Sequence, residues 1–290
     1  MLPASRRLRY RLEYLGFLLV AGLGRLLPLE WASALGGWCW RLVAPLTHRH
    51  GRAVANLRRA FPELTEEECE RIARDMWTSL GNNFGESFQL DAIARSNRVT
   101  IAPAAHGLLQ SYQGRGLVMA AAHQGNWEVL AIAAVREGLQ TSGIYQKVKN
   151  PWLDAWLRDK RTPFYTGGLL AKHRKSGLQL IRHVQQGGCM AILADLRDYR
   201  GIKVPFFGHA APTSTFPALV ARTTGAPLIA WFCERLPGVR FQLSCVEVEV
   251  PHTYDKDADI EIATARLQMV LEESIRKRPS QWMWGHRRWG

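Results

Sequence analysis

Acidic residues are in short supply in this chain: 25 Asp and Glu stand against 38 Lys and Arg, a formal net charge of +13. Such an imbalance favours phosphate-bearing partners, whether nucleic acid, anionic lipid headgroups or an acidic carrier protein. Cysteine is sparse too. Cys39, Cys69, Cys189, Cys233 and Cys245 are odd in number, scattered and without a C-x-x-C pair. That pattern speaks against a zinc cage or a disulfide framework and suits a reducing compartment. A spanning helix needs about 20 mostly apolar residues, and the first apolar stretch, Tyr14 to Gly24, has only 11 before Arg25. There is no G-x-S-x-G nucleophile elbow, no internal repeat and no low-complexity tract.

What is present reads as a globular chain, 47% apolar and 22% charged over 290 residues, long enough to bury a core without covalent staples. The N-terminus stands apart. Ten Arg and two acids, Glu13 and Glu30, lie between Met1 and Ala60, and Arg6, Arg7, Arg9 and Arg11 precede the first apolar stretch. A second such stretch runs from Trp31 to Leu46, broken by Arg41. Three readings compete here: a short or tilted anchor or interfacial helix, a signal peptide cleaved after Ala32-Ser33-Ala34, and an amphipathic helix docked on the domain. Basic residues beside an apolar segment are drawn to an anionic cytoplasmic leaflet. The expectation is therefore a protein on the cytoplasmic face of a membrane, and eleven Trp agree with an interfacial position.

Residues 1–95 read as a helical cap, with helices near 52–61 and 66–82, the latter opened by the capping-box-like Thr65-Glu66-Glu67-Glu68. From 96 to 290 strand and helix alternate. Strands are expected at 117–122, 142–148, 189–194, 227–233 and 240–250, and helices at 126–137, 151–160, 175–186, 214–224 and 258–277. This alternation predicts an α/β fold, a mostly parallel central sheet flanked by helices.

The sharpest chemical feature is Ala121-Ala122-His123-Gln124-Gly125-Asn126-Trp127-Glu128, where a buried strand hands over to a helix. Ligands of α/β sheets gather at the carboxyl ends of strands. A neutral imidazole there can take the proton of a hydroxyl as it attacks a thioester, and a carboxylate behind the ring fixes its tautomer and stabilises the imidazolium. His123 is the candidate base and Glu128 the candidate carboxylate. Gly125 permits the turn that would bring them together, and Asn126 suits an N-cap. The His-x4-acid interval is cheap in a chain with nine His and 25 acids, and His252 and Asp257 repeat it. The strand, the Gly-Asn turn and the apolar helix distinguish the first copy; a histidine in a helix-capping network is the alternative. The basic run Lys147 to Lys175, with Arg158, Lys160 and Arg161 at its centre, offers a grip on phosphates or an acidic carrier protein and an oxyanion contact, or else a solvated helix face. Asp195, after another buried strand, is placed to orient a turn or a basic side chain, or else to serve as a purely structural cap. Val204-Pro205-Phe206-Phe207-Gly208 would line an acyl tunnel or pack the core, and the hydroxyls of Thr213-Ser214-Thr215 would cap a helix.

In order along the chain, Asn56-Leu57-Arg58-Arg59-Ala60-Phe61-Pro62, His123 to Glu128, Asp195, Val204 to Gly208, and Gln281-Trp282-Met283-Trp284-Gly285-His286-Arg287-Arg288-Trp289 resemble the lipid A biosynthesis acyltransferases, the lauroyl/myristoyl transferases. The likeness runs over roughly residues 10–290. It implies an acyl-carrier-protein thioester (or acyl-CoA) as donor and a lipid A precursor as acceptor, with transfer to a hydroxyl of a chain already attached. It further implies His123 and Glu128 as the catalytic pair, Arg161 as an anion or oxyanion contact, attachment to the bacterial inner membrane, and no metal or cofactor. Asp195 matches a family aspartate; Leu196 replaces the glutamine that often follows it. Two other functions compete: an acyltransferase for another glycolipid such as a phosphatidylinositol mannoside, and a non-catalytic basic protein that binds nucleic acid, although no nucleic-acid motif is visible.

Overall fold

The computed structural model describes residues 4–289. Five helices come first: α1 (Ala4–Leu26), α2 (Leu29–Val43), α3 (His48–Ala60), α4 (Glu66–Ser87) and α5 (Leu90–Ala94). Then follow β1 (Val99–Ile101), α6 (Pro103–Ser111), β2 (Leu117–Ala121), α7 (Glu128–Arg136), β3 (Thr141–Tyr145), α8 (Pro151–Arg161), β4 (Gly168–Ala171), α9 (Arg174–Gln185) and β5 (Cys189–Leu193). The chain continues through β6 (Arg197–Phe206), β7 (His209–Thr213), α10 (Phe216–Thr224), β8 (Leu228–Leu236), β9 (Arg240–Val248) and α11 (Lys256–Lys277). Local chemistry sets several boundaries. Thr65 and Glu68 close a reciprocal capping box on α4. Asn150 accepts from the Trp152 N–H ahead of Pro151 at the start of α8. Gly225 ends α10 in the left-handed region, φ 71°.

Seven strands form one sheet in the order β1-β9-β8-β2-β5-β3-β4. Every neighbouring pair is parallel except β8 with β9, so the expected mostly parallel sheet is present with a reversed edge. β2 lies at its centre and is buried on both faces, which is why its five residues are all apolar. Its side chains alternate between two cores. Val118 and Ala120 join Leu180, Val220 and Leu271 from α9, α10 and α11. Leu117, Met119 and Ala121 join Ile93, Leu109, Val129 and Ile132 from α5, α6 and α7. Leu57 of α3 and Met76 of α4 belong to the first of these cores.

Beyond the expected elements the chain also forms β1, α6 and β4, and the antiparallel pair β6–β7. The block Val204 to Gly208 forms the tip of that hairpin. Phe206 and Phe207 are buried and meet Trp282, Trp284 and Trp289 with ring centroids 5.5–6.3 Å apart. They pack an aromatic core and do not line a tunnel. Thr215 precedes α10 without a side-chain capping bond, its backbone already helical at φ −83° and ψ −3°, and the Thr213 hydroxyl is bonded to Ala211 and Arg288 instead.

No helix among the described residues is long and apolar enough to cross a membrane. Leu8, Leu12, Leu15, Leu19, Leu23 and Leu26 nevertheless form an exposed stripe at helical spacing along α1, and Trp31, Leu35, Trp38 and Leu42 form another on α2. The segment Ala32-Ser33-Ala34 lies inside α2, with Ala32 and Ser33 buried. Here α2 and α4 approach closely: a Cβ on Gly81 would sit 2.2 Å from the Gly36 carbonyl oxygen, and one on Gly85 would sit 2.1 Å from that of Ala32. Gly81→Leu is accordingly expected to destabilise the fold by at least about 2–3 kcal/mol in urea unfolding. Gly51→Ala in α3, where a Cβ meets nothing within 4 Å, should be neutral or stabilising by up to about 1 kcal/mol. Equal effects from the two would contradict the close-packed interface.

Candidate active site

The register of the sheet assembles the site. Ala121 of β2 pairs with Leu193 of β5, and the Ala194 N–H donates to the Ala121 carbonyl at 2.8 Å. The residues two positions beyond this pair are His123 and Asp195, so parallel neighbours deliver an imidazole and a carboxylate to the same carboxyl edge. Asp195 is fully buried and its two oxygens are shared among three donors. Oδ1 meets His123 Nδ1 at 2.8 Å, while Oδ2 accepts from the His123 backbone N–H at 2.8 Å and from Trp282 Nε1 at 2.7 Å. Burial works to raise its pKa. The charge of His123, the hydrogen bonds to that residue and the Trp282 donor outweigh burial and bring the carboxyl down to about 2.

An ionised carboxylate only accepts, so the contact with Asp195 places a proton on Nδ1 and leaves Nε2 as the nitrogen able to take another. Nε2 has no hydrogen-bond partner among the described residues, and the side chain is 16% exposed. The ring is flanked by Trp127, edge-on at 5.1 Å, and by His286 at 6.3 Å. Burial above all pushes the His286 pKa down to about 4, with His123, Arg49 and Arg52 adding to the effect and the Asp195 carboxylate opposing it. His286 is thus neutral at physiological pH.

Glu128 does not occupy the place expected of it. It opens α7, which carries it away from the turn, and it receives a bidentate contact from Arg161 of α8: Nε to Oε2 at 2.9 Å and Nη2 to Oε1 at 2.5 Å. The carboxylate on the imidazole is Asp195, placed by strand pairing rather than by the local His-x4-acid interval. Burial opposes the charge on Arg161, but the Glu128 carboxylate prevails and raises its pKa. The paired guanidinium keeps Nη1 for another acceptor. Of the remaining basic candidates, Lys160 lies over the Trp156 ring at 5.6 Å, and Arg158 is exposed with Asp159 at 3.7 Å.

The turn between β2 and α7 is held from three sides. Gly125 has φ 57°, and a Cβ there would fall 2.3 Å from the Cys233 carbonyl oxygen, so only glycine fits. Its carbonyl accepts from Asn83 of α4 and its N–H donates to Gln281. Asn126 is not the N-cap of α7, a position held by Trp127 without a side-chain capping bond; it accepts from the Glu128 N–H two residues on and donates to Glu86 at 2.7 Å. Glu86 is completely buried, paired with Arg235 of β8 at 2.6 and 2.7 Å and with Ser33 of α2. The C-terminal segment closes the remaining side. Trp282 bonds Asp195, Arg288 bonds Pro212, Thr213 and Gln268, and Asn56 of α3 donates to the carbonyls of Trp284 and His286. Sequence reasoning places Trp282 and His286 within a resembling block without a role, and misses Glu86 and Arg235 altogether; neither carries a local signal. No cluster of three or more His, Cys, Asp or Glu capable of holding a metal ion occurs among the described residues.

Comparison with known proteins bears on this arrangement. A family model described as bacterial lipid A biosynthesis acyltransferase matches residues 1–290. A lipid A biosynthesis lauroyltransferase from Escherichia coli (strain K12) is 29% identical over 298 aligned residues, covering 97% of this chain and 92% of that protein.

The depressed Asp195 pKa fixes the sign of an acid-stability effect. The folded value, about 2, lies below the ordinary 3.8, so the unfolded chain binds the proton more readily. The resulting stabilisation, on the order of 2 kcal/mol, is complete above about pH 4 and is lost as pH falls through about 2. The gap in urea midpoint between the wild type and Asp195→Asn should be widest near neutral pH and narrow in acid. A gap that does not change with pH would contradict the assignment.

Proposed function

The chain belongs to the bacterial lipid A biosynthesis acyltransferase family and is an acyltransferase, and on that premise we propose that it moves a fatty acyl chain from an acyl-carrier-protein thioester to a hydroxyl of a lipid A precursor. The observation that carries the mechanism is the imidazole of His123, held at Nδ1 by buried Asp195 with Nε2 open at the carboxyl edge of the sheet. Nε2 takes the proton of the acceptor hydroxyl as its oxygen attacks the thioester carbonyl. Asp195 stabilises the imidazolium that forms. The tetrahedral oxyanion collapses with cleavage of the C–S bond, and the imidazolium returns the proton to the departing thiolate. No covalent acyl-enzyme is formed.

In this reading Glu128 acts through Arg161. The carboxylate fixes the guanidinium by two hydrogen bonds, leaving Nη1 to meet a developing oxyanion or a phosphate. The exposed apolar stripes of α1 and α2 rest in the headgroup region of the inner membrane on its cytoplasmic side. Arg6, Arg7, Arg9 and Arg11 lie against anionic lipid there, an interfacial attachment that needs no spanning helix.

Lipid A from a strain lacking the gene should be short by one acyl chain in mass spectra. The wild-type gene should restore it, and His123→Ala should not. With purified enzyme, Asp195→Asn should lower kcat by about 10²–10⁴ through the wrong tautomer, while Glu128→Gln should weaken turnover without changing the pH profile set by His123. Full complementation by His123→Ala, or trapping of an acyl-enzyme, would overturn the mechanism. Leu12→Glu, Leu19→Glu and Trp38→Glu together should lower partitioning onto phosphatidylglycerol-containing vesicles at least tenfold; unchanged partitioning would refute the interfacial attachment.

A further inference from the structure

The C-terminal segment brings a second imidazole to the catalytic base. His286 is half-buried, and its ring lies 6.3 Å from that of His123, tilted by 33°. It forms part of the wall of a hollow of about 280 Å³ between α3, the residues after β5 and the C-terminal segment. Proton transfer at His123 does not require this ring, yet the fold holds it firmly.

The backbone on both sides of His286 is pinned. Trp282 donates to Asp195, Asn56 donates to the carbonyls of Trp284 and His286, and Arg52 donates to that of Gly285. Buried Arg288 donates to Pro212, Thr213 and Gln268. The ring is fixed at one nitrogen, with Nε2 3.1 Å from the Met283 sulfur. A thioether only accepts, so Nε2 carries the proton and Nδ1 is a bare acceptor. Nδ1 has no hydrogen-bond partner among the described residues. An acceptor locked in place beside the base and half out of solvent is preorganised for a ligand. Its neutrality suits that position. His123 becomes an imidazolium as it takes the hydroxyl proton, and a second cation 6.3 Å away would oppose that step. Burial keeps His286 uncharged.

The reacting hydroxyl has one proton, and His123 Nε2 takes it, so the bare nitrogen of His286 serves a different donor. We propose that His286 is a substrate-contacting residue, its Nδ1 accepting a hydrogen bond from an O–H or amide N–H that adjoins the reacting group. The contact fixes the orientation of that substrate while His123 Nε2 meets the attacking hydroxyl. The proposal rests on the acyl-transfer reading for the identity of the substrates. Two substrates can bring such a donor group: the glycolipid acceptor, or the arm that joins the acyl thioester to its carrier.

Two substitutions separate this contact from a packing role. In His286→Asn the side-chain oxygen lies as many bonds from Cα as Nδ1 does, so the acceptor is kept and the reach to Met283 is lost. In His286→Gln the amide reaches the place of Nε2, so the donor to Met283 is kept and the acceptor is lost. Binding is measured on the full chain in detergent with radiolabelled lipid A precursor and, separately, with acyl-loaded carrier protein. Each probe is offered alone, so no transfer occurs and the result does not depend on the catalytic assignment. Loss of the acceptor should weaken binding of one probe about tenfold in His286→Gln, while His286→Asn should bind it within about threefold of the wild type. The probe that weakens names the substrate that carries the donor group. A residue that only packs against Met283 predicts the opposite order. Weaker binding in His286→Asn than in His286→Gln, or equal affinities in the two variants for both probes, would overturn the proposal. Failure of the wild-type chain to bind either probe would overturn the acyl-transfer reading, and the proposal with it.

Discussion

The hydrogen bonds of one buried carboxylate organise this molecule. Asp195 has no access to solvent, yet it stays ionised because three donors converge on it: the backbone and ring of His123 and the indole of Trp282. Each contact joins a different level of the structure. The backbone bond continues the β2–β5 pairing past the end of the strands, the ring bond selects the imidazole tautomer, and the indole bond ties the C-terminal segment to the sheet. An unpaired carboxylate at this depth would be costly enough to take up a proton, so the geometry and the charge state require each other.

A second buried pair supports the same turn from the opposite side. Glu86 and Arg235 satisfy one another and recruit Ser33, Asn83 and Asn126. Removing one partner of such a pair strands the other charge, which typically costs about 3–5 kcal/mol. The N-terminal helices are therefore part of the site's framework: α4 bonds the loop bearing His123 directly, and α2 bonds Glu86, which holds that loop.

The legibility of the sequence differs between the parts of the site. Strong local signals carry through to the structure: the apolar run of β2, the capping box at Thr65, and the helix expected at 151–160, which is α8. Short or polar elements do not carry through. β1 has three residues, too few for a period to show, and the first part of β6, residues 197–200, is mostly charged, so that only residues 203–206 alternate between exposed and buried. The imidazole was readable from its strand–turn–helix setting. Its partner was not, since Asp195 reaches His123 only because β5 lies beside β2, and the strand order β1-β9-β8-β2-β5-β3-β4 is a property of the whole fold. The interval from His123 to Glu128 suggests a contact, but the helix geometry directs Glu128 to Arg161. Asp195 was visible as a residue at a sheet edge, and its mate was not.

The central claim is that Asp195, and not Glu128, holds the ring of His123, and nitrogen NMR of the labelled imidazole tests it most directly. Measured at a pH high enough to deprotonate the imidazolium, the ring should carry its proton on Nδ1 with a bare Nε2 in the wild type and in Glu128→Gln, and should lose that tautomer preference in Asp195→Asn. A preference that survives Asp195→Asn and disappears in Glu128→Gln would contradict it.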